Sequence, residues 1–168
     1  MRTLLKAVRR NHALEHATVA VLLEHGARPP LGGYSTRGGF FIFGKLTTES
    51  VRDAALEALG RLREGQKQLA ISPFCGTNII TRALLTGIVT ALILGRKQRR
   101  LRQLPAVAAG IIGVAVVSRP IGNALQRRYT TLAEPTGQEI VDVRRVWAGP
   151  FSVHRVHVAF TGDGPVST

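Results

Sequence analysis

The sequence predicts an α+β fold, in which a small antiparallel sheet with two amphipathic helices is interrupted by a hydrophobic helical hairpin. Apolar residues recur at helical spacing in 2–25 and 48–64, which predicts the two amphipathic helices. Two pairs of strand-like segments flank turns that contain glycine. Residues 83–95 and 103–118 carry no charge, which predicts the hydrophobic hairpin. The 168 residues are enough to bury one substantial core.

The first half of the chain is predicted to form a helix, a β-hairpin and a second helix. Gly26 is a natural end for the first helix, because glycine readily adopts the left-handed conformation found there. Segments 32–36 and 39–43 are predicted to be the strands of the hairpin. A threonine caps the second helix, 48–64, and a short strand is predicted at 68–71.

The second half contains the hydrophobic helices and then another β-hairpin. Segments 139–147 and 151–160 are the predicted strands, joined by a turn with glycine and proline. The predicted organisation is one α+β domain made of 1–78 and 129–161, a hydrophobic hairpin 79–119, a basic juxtamembrane segment 120–128 and a loose tail 162–168.

The charge of the chain is strongly positive, and its distribution favours lipid over nucleic acid. Lys and Arg number 23 against 10 Asp and Glu, so the formal net charge is +13. The densest basic cluster, 96–102, lies between the two apolar segments, where basic side chains interact with lipid headgroups. We therefore expect a lipid bilayer as partner rather than nucleic acid. The basic residues expected at the membrane interface are Arg82, Arg96, Lys97, Arg99, Arg100, Arg102 and Arg119.

The apolar segments are predicted to cross a membrane. Extended to their basic ends, 79–96 and 101–119 approach the roughly 20 residues that a spanning helix needs. Small residues such as Gly87 and Gly110 allow two such helices to pack closely. The alternative is a helical hairpin buried in a soluble protein, which the remaining residues would have to cover on all sides. A membrane-protein partner or a second copy of the chain would also fit this hairpin.

The most specific motif is His12-Ala13-Leu14-Glu15-His16, which is H-x-x-E-H. Residues four apart share one face of a helix, so both imidazoles can bind one zinc ion, with Glu15 as a general base. The motif lies in the middle of the apolar stripe of its helix, where ionisable groups are costly unless they are paired or coordinated. The alternative is therefore a structural, buried His–Glu–His cluster.

A third zinc ligand is needed for catalysis, and the helix 48–64 does not supply it. Its acidic residues are predicted to point away from the core. Cys75 is a candidate, since a thiolate binds zinc well. The other candidates lie on the late hairpin and are Glu139, His154 and His157. A regular strand would place only one of the two histidines towards the site.

The segment Cys75-Gly76-Thr77-Asn78 precedes the first apolar helix. Thr77 or Asn78 is a suitable helix cap, and Cys75 is either a ligand or a small buried apolar residue. The chain contains no other cysteine, which excludes a disulfide scaffold. It contains no phosphate-binding or dinucleotide motif, so no nucleotide cofactor is expected.

These motifs resemble a bacterial family of small membrane proteins that is classed as a domain of unknown function. The matching segments are the hydrophobic pair and residues 11–18 (N-H-A-L-E-H-A-T), 39–44, 75–78 (C-G-T-N), 139–141 and 154–156. The resemblance implies a membrane-associated protein. It also implies that one constellation is formed by His12, Glu15, His16, Cys75, Asn78, Glu139 and His154.

Two functions remain open on the sequence alone. The first is a membrane-anchored protein with a zinc site, including the catalytic form of a metal-dependent hydrolase. The second is a non-enzymatic membrane assembly or scaffold protein with a structural His–Glu–His cluster. The lone cysteine and the lack of a clear signal peptide predict a folded domain in the cytoplasm, attached to the bacterial inner membrane.

Overall fold

The computed structural model describes residues 2–72, 75–95 and 100–161, and it confirms the α+β fold class. The elements in order are helix α1 (Arg2–Glu24), strands β1 (Gly32–Thr36) and β2 (Gly39–Gly44), helix α2 (Thr48–Arg63), a 3₁₀ turn (Lys67–Ala70), helices α3 (Gly76–Leu94) and α4 (Arg100–Leu125), a π-helical turn (Gln126–Thr130), and strands β3 (Gln138–Ala148) and β4 (Ser152–Phe160). The chain divides into two compact units, residues 1–72 with 129–168 and residues 73–128.

The first unit is a helix layer on one face of an antiparallel sheet. The four strands lie in the order β1-β2-β4-β3, so the last strand of the chain is inserted beside β2. Both α1 and α2 pack on the same sheet face. The apolar stripes of the two helices meet alternate residues of the strands there, and the core includes Leu14, Leu22, Phe40, Ile42 and Val156, each almost fully buried.

Local sequence explains where these elements begin and end. The Thr47 hydroxyl accepts a hydrogen bond from the Ser50 backbone N–H at 3.1 Å, which caps α2 as predicted. Gly65, with a φ of +93°, lies just beyond its other end. Gly39 begins β2 with a φ of +127°, and a Cβ there would meet the Val156 carbonyl oxygen at 2.0 Å. Only glycine therefore fits at position 39.

The predicted strand at 68–71 is wrong, because this segment forms the 3₁₀ turn Lys67–Ala70. Its backbone groups find partners within the turn: the Leu69 N–H donates to the Gln66 carbonyl and the Ile71 N–H to the Gln68 carbonyl. Leu69 and Ala70 are buried against the core. The turn thus satisfies its backbone locally and buries two apolar side chains without pairing to the sheet.

The second unit contains the two apolar helices, packed antiparallel. Near one end Asn78 lies against Gly122, and further along Val89 and Ile93 lie against Gly110. A Cβ on Gly110 would come within 2.7 Å of Val89 Cγ1, so the small residue permits this close approach. Residues 120–125, which precede the π-helical turn, continue α4 as helix.

Both helices are long and apolar enough to cross a membrane. The segments are Gly76–Leu94, with 19 residues, and Gln103–Thr130, with 28 residues. Only 6% and 11% of their most apolar windows are buried in the described part of the chain. Arg82 and Arg119 are exposed on these helices. Of the other predicted interface residues, Arg100 and Arg102 lie on the α4 backbone, whereas Arg96, Lys97 and Arg99 lie outside the described residues, as does the predicted tail 162–168.

Candidate metal site

The H-x-x-E-H motif lies in the middle of α1, on a buried part of the helix. Leu14 and Ala17 beside it are fully buried in the core, and this packing holds the polar side chains away from solvent. Glu15 and His16 are 5% and 4% exposed, and His12 is half-buried. Such groups need polar partners, because each loses its hydration in the folded protein.

Each imidazole of the motif is held by a main-chain carbonyl. His12 Nδ1 is 2.9 Å from the Thr130 carbonyl oxygen, and His16 Nδ1 is 2.8 Å from that of Ala70. A carbonyl oxygen only accepts hydrogen bonds, so both Nδ1 atoms carry the proton. In the neutral rings both Nε2 atoms therefore carry a lone pair. The ring centroids are 4.3 Å apart, with the planes inclined by 61°.

The two histidines bring their ligand atoms together. One ring nitrogen of His12 lies within 4.8 Å of one of His16. Ligand atoms around a tetrahedral zinc ion lie roughly 3.5 Å apart, so small side-chain rotations would bring these two nitrogens to coordination distance. Cys75, the predicted third ligand, belongs to the second unit, where it is buried at the N-cap position of α3. It is five residues beyond Ala70, whose carbonyl holds His16.

Glu15 is held against β1. Ser35 Oγ donates a hydrogen bond to Glu15 Oε2 at 2.5 Å. Gly33 makes room for the carboxylate, since a Cβ there would be 2.7 Å from Glu15 Oε1. Glu15 lies between the two histidines in the sequence, and this hydrogen bond gives its carboxylate a fixed orientation.

Asn11 is a buried residue of this region whose role the sequence did not indicate. Its side-chain amide donates to the carbonyls of Thr36 and Arg37 at 2.8 and 3.0 Å, and it accepts from Gln138 Nε2 at 3.2 Å. These bonds fix α1 to the β1–β2 turn and to β3. The available signal in the sequence was its position directly before His12, within the N-H-A-L-E-H segment.

The other predicted site residues lie on α3, β3 and β4. Asn78 is buried in α3, where its amide donates to Asn123 Oδ1 at 3.3 Å. Glu139 is exposed on β3, opposite Ala159. His154 is fully buried on β4. The acidic residues of the 48–64 segment are exposed, as predicted: Asp53, Glu57 and Glu64.

The two histidines of β4 lie on opposite faces, as the strand periodicity predicted. His154 faces the core between Ile42 and Arg145 in register, and neither ring nitrogen has a hydrogen-bond partner among the described residues. Burial lowers the pKa of His154, and the charge of Arg145 lowers it further. The pKa of His157 is also lowered, by burial and by Arg155 and Arg144, with Asp142 opposing the shift.

The fold and this site define a small α+β protein with two apolar helices and a pair of neighbouring histidines on α1. The chain belongs to the family described as a domain of unknown function, DUF6391, whose profile matches residues 7–143. It is similar to an uncharacterized protein of the cyanobacterium Picosynechococcus, with 35% identity over 134 residues. The match covers 74% of this chain and 65% of that relative, which is less than two thirds of its length. No solved structure matches the chain.

Proposed function

We propose that this protein is anchored in a membrane and binds a zinc ion through His12, His16 and Cys75. The observation that carries the proposal is the hydrogen bonding of the imidazoles. Both Nδ1–H groups donate to backbone carbonyls, so the lone pair of each neutral ring lies on Nε2, the atom that would bind an ion. Histidines that bind metals are oriented by such bonds from the other ring nitrogen, which also raise the basicity of the ligand.

The donor set favours zinc over other biological metals. Two imidazole nitrogens and one thiolate sulfur suit a borderline-soft ion, whereas calcium and magnesium prefer oxygen. Three protein ligands and an open fourth position are typical of catalytic zinc sites, where the metal supplies Lewis-acid activation of water or substrate. In the hydrolase that we propose, Glu15 is the general base, and Ser35 orients its carboxylate.

The membrane anchor is supported by the outward faces of the two apolar helices. Ile80, Leu84 and Leu92 on α3 are between 62% and 69% exposed, and Ile112 and Val116 on α4 are 66% and 70% exposed. Apolar surface on this scale is unfavourable in water, at about 25 cal/mol per Å². A bilayer would cover it while the helices satisfy their own backbone hydrogen bonds. We place the folded domain in the cytoplasm, as the lone cysteine favours.

Metal analysis of the full-length chain tests the site. We expect about one equivalent of zinc per chain, and cobalt substitution should give the near-ultraviolet absorption of a thiolate–cobalt bond. The paired change His12→Ala/His16→Ala should abolish both signals, and Cys75→Ser should remove the thiolate band. His25→Ala is the matched control, because His25 is exposed and contacts Glu57. Less than about a tenth of an equivalent in the wild-type chain would exclude the site.

The catalytic form of the proposal makes a separate prediction for Glu15. The change Glu15→Gln removes the base but keeps the shape of the side chain, so zinc should still bind while hydrolysis of peptide or ester substrates is lost. Equal hydrolysis by the wild-type and Glu15→Gln chains would exclude Glu15 as the base and leave the metal site intact.

A non-enzymatic assembly protein is the second candidate, and the Glu15–Ser35 hydrogen bond favours it. In this case the buried polar groups of α1 stabilise the domain, and Glu15→Gln should lower the free energy of unfolding by a few kcal/mol. A stoichiometric membrane protein should then co-purify with the chain. An unchanged melting temperature in Glu15→Gln would count against this candidate.

Fractionation tests the anchor independently of the metal. The full-length chain should remain in the membrane pellet after carbonate and high-salt washes, since apolar burial is insensitive to both. Deletion of 79–119 should release it. A chain that salt alone removes would be held by its positive charge, and the anchor would be excluded.

A further inference from the structure

The outer face of the sheet, opposite α1 and α2, carries an exposed apolar row. Phe43, Val153 and Trp147 lie side by side in register across β2, β4 and β3. Phe43 is 42% exposed and Trp147 is 51% exposed. Phe151, in the β3–β4 turn, is 39% exposed at the same end of the sheet. Within the described part of the chain, this end of the sheet thus presents large apolar side chains to the surroundings.

The next row of the outer face combines aromatic rings with arginines. Tyr34, Phe41, Arg155 and Arg144 lie in register across all four strands. The Arg155 guanidinium lies 4.5 Å from the centroid of the Phe41 ring and donates to Thr36 Oγ1 at 2.8 Å. Tyr34 is 67% exposed, and Arg144 is exposed at the opposite edge. The row that follows is polar, with His157 beside Asp142.

The charge of this face selects the chemistry of its partner. The apolar row and the arginine row carry Arg144 and Arg155 and no acidic residue, whereas Asp142 and Glu139 lie in the rows farther along the face. A second copy of the chain would bring arginines against arginines, which is unfavourable. A partner rich in negative charge would be attracted. Single-stranded nucleic acid also offers negative charge, and its bases stack on aromatic rings, but the proposed membrane anchor keeps this domain beside a bilayer, which favours lipid.

We propose that this end of the outer face docks on the headgroup layer of an anionic lipid bilayer. Successive rows of a sheet face are two residues apart, or about 7 Å, which is close to the thickness of one headgroup layer. With Phe43, Trp147 and Phe151 at the acyl boundary, Arg144 and Arg155 reach the lipid phosphates. Tryptophan is enriched at the boundary between headgroups and acyl chains, and arginine is attracted to the lipid phosphates. The inference rests on the proposed membrane anchor, which keeps the domain close to a bilayer.

Trp147 is the only tryptophan of the chain, so intrinsic fluorescence reports this surface directly. The full-length chain would be reconstituted into vesicles of phosphatidylcholine, with and without phosphatidylglycerol, and with acyl chains that are brominated or not. In the anionic vesicles we expect a blue-shifted emission and strong quenching by the brominated chains. Arg144→Glu should lower the ratio of docked to undocked domains about tenfold and so reduce the quenching.

Arg52→Glu is the matched control, since Arg52 is exposed on α2, across the helix layer, and the charge change is the same. It should leave the quenching unchanged. Emission that is insensitive to brominated lipid would overturn the proposal. So would a Trp147 that is shielded from aqueous iodide but not quenched by lipid, since protein would then cover the face. Carbonate fractionation of the same samples distinguishes loss of the anchor from loss of docking.

Discussion

The two units of the molecule distribute polar and apolar side chains in opposite ways. The first unit buries Leu14, Phe40 and Ile42 completely, and the helix α2 turns its charged residues outwards. The second unit exposes many of its large apolar side chains, among them Leu84, Ile112 and Val116. Its buried residues include Asn78 and Ser118, which is 2% exposed. One chain thus contains a unit built as a globular core and a unit built with the opposite pattern.

This difference is the one that the proposed anchor predicts, with the first unit in water and the second in lipid. In water, burial of apolar area drives packing, which accounts for the first unit. In lipid that force is absent between helices, and close contacts of small residues with polar bonds hold helices together. The contacts of Asn78 with Gly122 and of Arg82 Nε with Ser118 Oγ at 3.4 Å are of this second type. They support the proposed anchor.

Truncation of one leucine in each unit should give the largest difference in stability between the two units. Leu14→Ala leaves a cavity in a closed core and should lower the free energy of unfolding by about 3 kcal/mol. Leu84 is 62% exposed, so Leu84→Ala should change the free energy of unfolding by less than about 0.5 kcal/mol. Urea unfolding of both variants in detergent, followed by circular dichroism, measures this difference. Equal losses would show that α3 is covered by protein.

A second prediction concerns the contact between α3 and α4. A Cβ on Gly122 would meet Asn78 Oδ1 at 1.7 Å, so Gly122→Ala must displace Asn78 or separate the helices. We expect a loss of about 1–3 kcal/mol. Gly113→Ala is the control, because nothing lies within 4 Å of a Cβ there, and alanine favours the helix by up to about 1 kcal/mol. Thermal unfolding in micelles measures the stability of the Gly122→Ala and Gly113→Ala chains. A Gly122→Ala chain as stable as the control would contradict the packing.

The smallest effect concerns His154, a fully buried polar side chain on β4. Its pKa is lowered in the folded state, so the unfolded chain binds more protons below its ordinary pKa of about 6.5. The stability contributed by the neutral ring is therefore fully present above that pH and is lost as the pH falls towards the lowered pKa of the folded state.

His154→Leu removes the titration and the unpartnered ring, so the melting temperature should depend less on pH than in the wild-type chain. His25→Ala controls for the loss of an exposed histidine. Parallel pH profiles for the wild-type and His154→Leu chains would show that His154 does not cause the dependence.

The sequence predicted the elements that depend on near neighbours. The helix at 2–25, the hairpin around residues 37 and 38 and the helix after Thr47 are confirmed, since periodicity, glycine and a cap determine them locally. The 68–71 segment was mispredicted because a short apolar run has no period that distinguishes a strand from a buried turn. The aromatic and arginine rows of the outer face were not foreseen, because they require the strand order and register.

The candidate site likewise has one part that local sequence predicts and another that depends on tertiary packing. The spacing of His12 and His16 brings them together on any helix, which sequence alone can predict. The carbonyls of Ala70 and Thr130 that orient the rings are more than 50 residues away in the chain. The lack of a partner for His154 among the described residues likewise follows from tertiary packing, which no local pattern encodes.

The insertion of β4 between β2 and β3 has a consequence for how the protein is made. The hydrogen-bonding edge of β2, with Phe40 and Ile42, has no neighbour until residues 152–160 have left the ribosome. By then α3 and α4 have already been synthesised. The first unit therefore completes its sheet only after both apolar helices exist, and its open edge must be protected from aggregation during that interval. Early insertion of the helices would bring residues 72 and 129 together and shorten the loop that the sheet has to close.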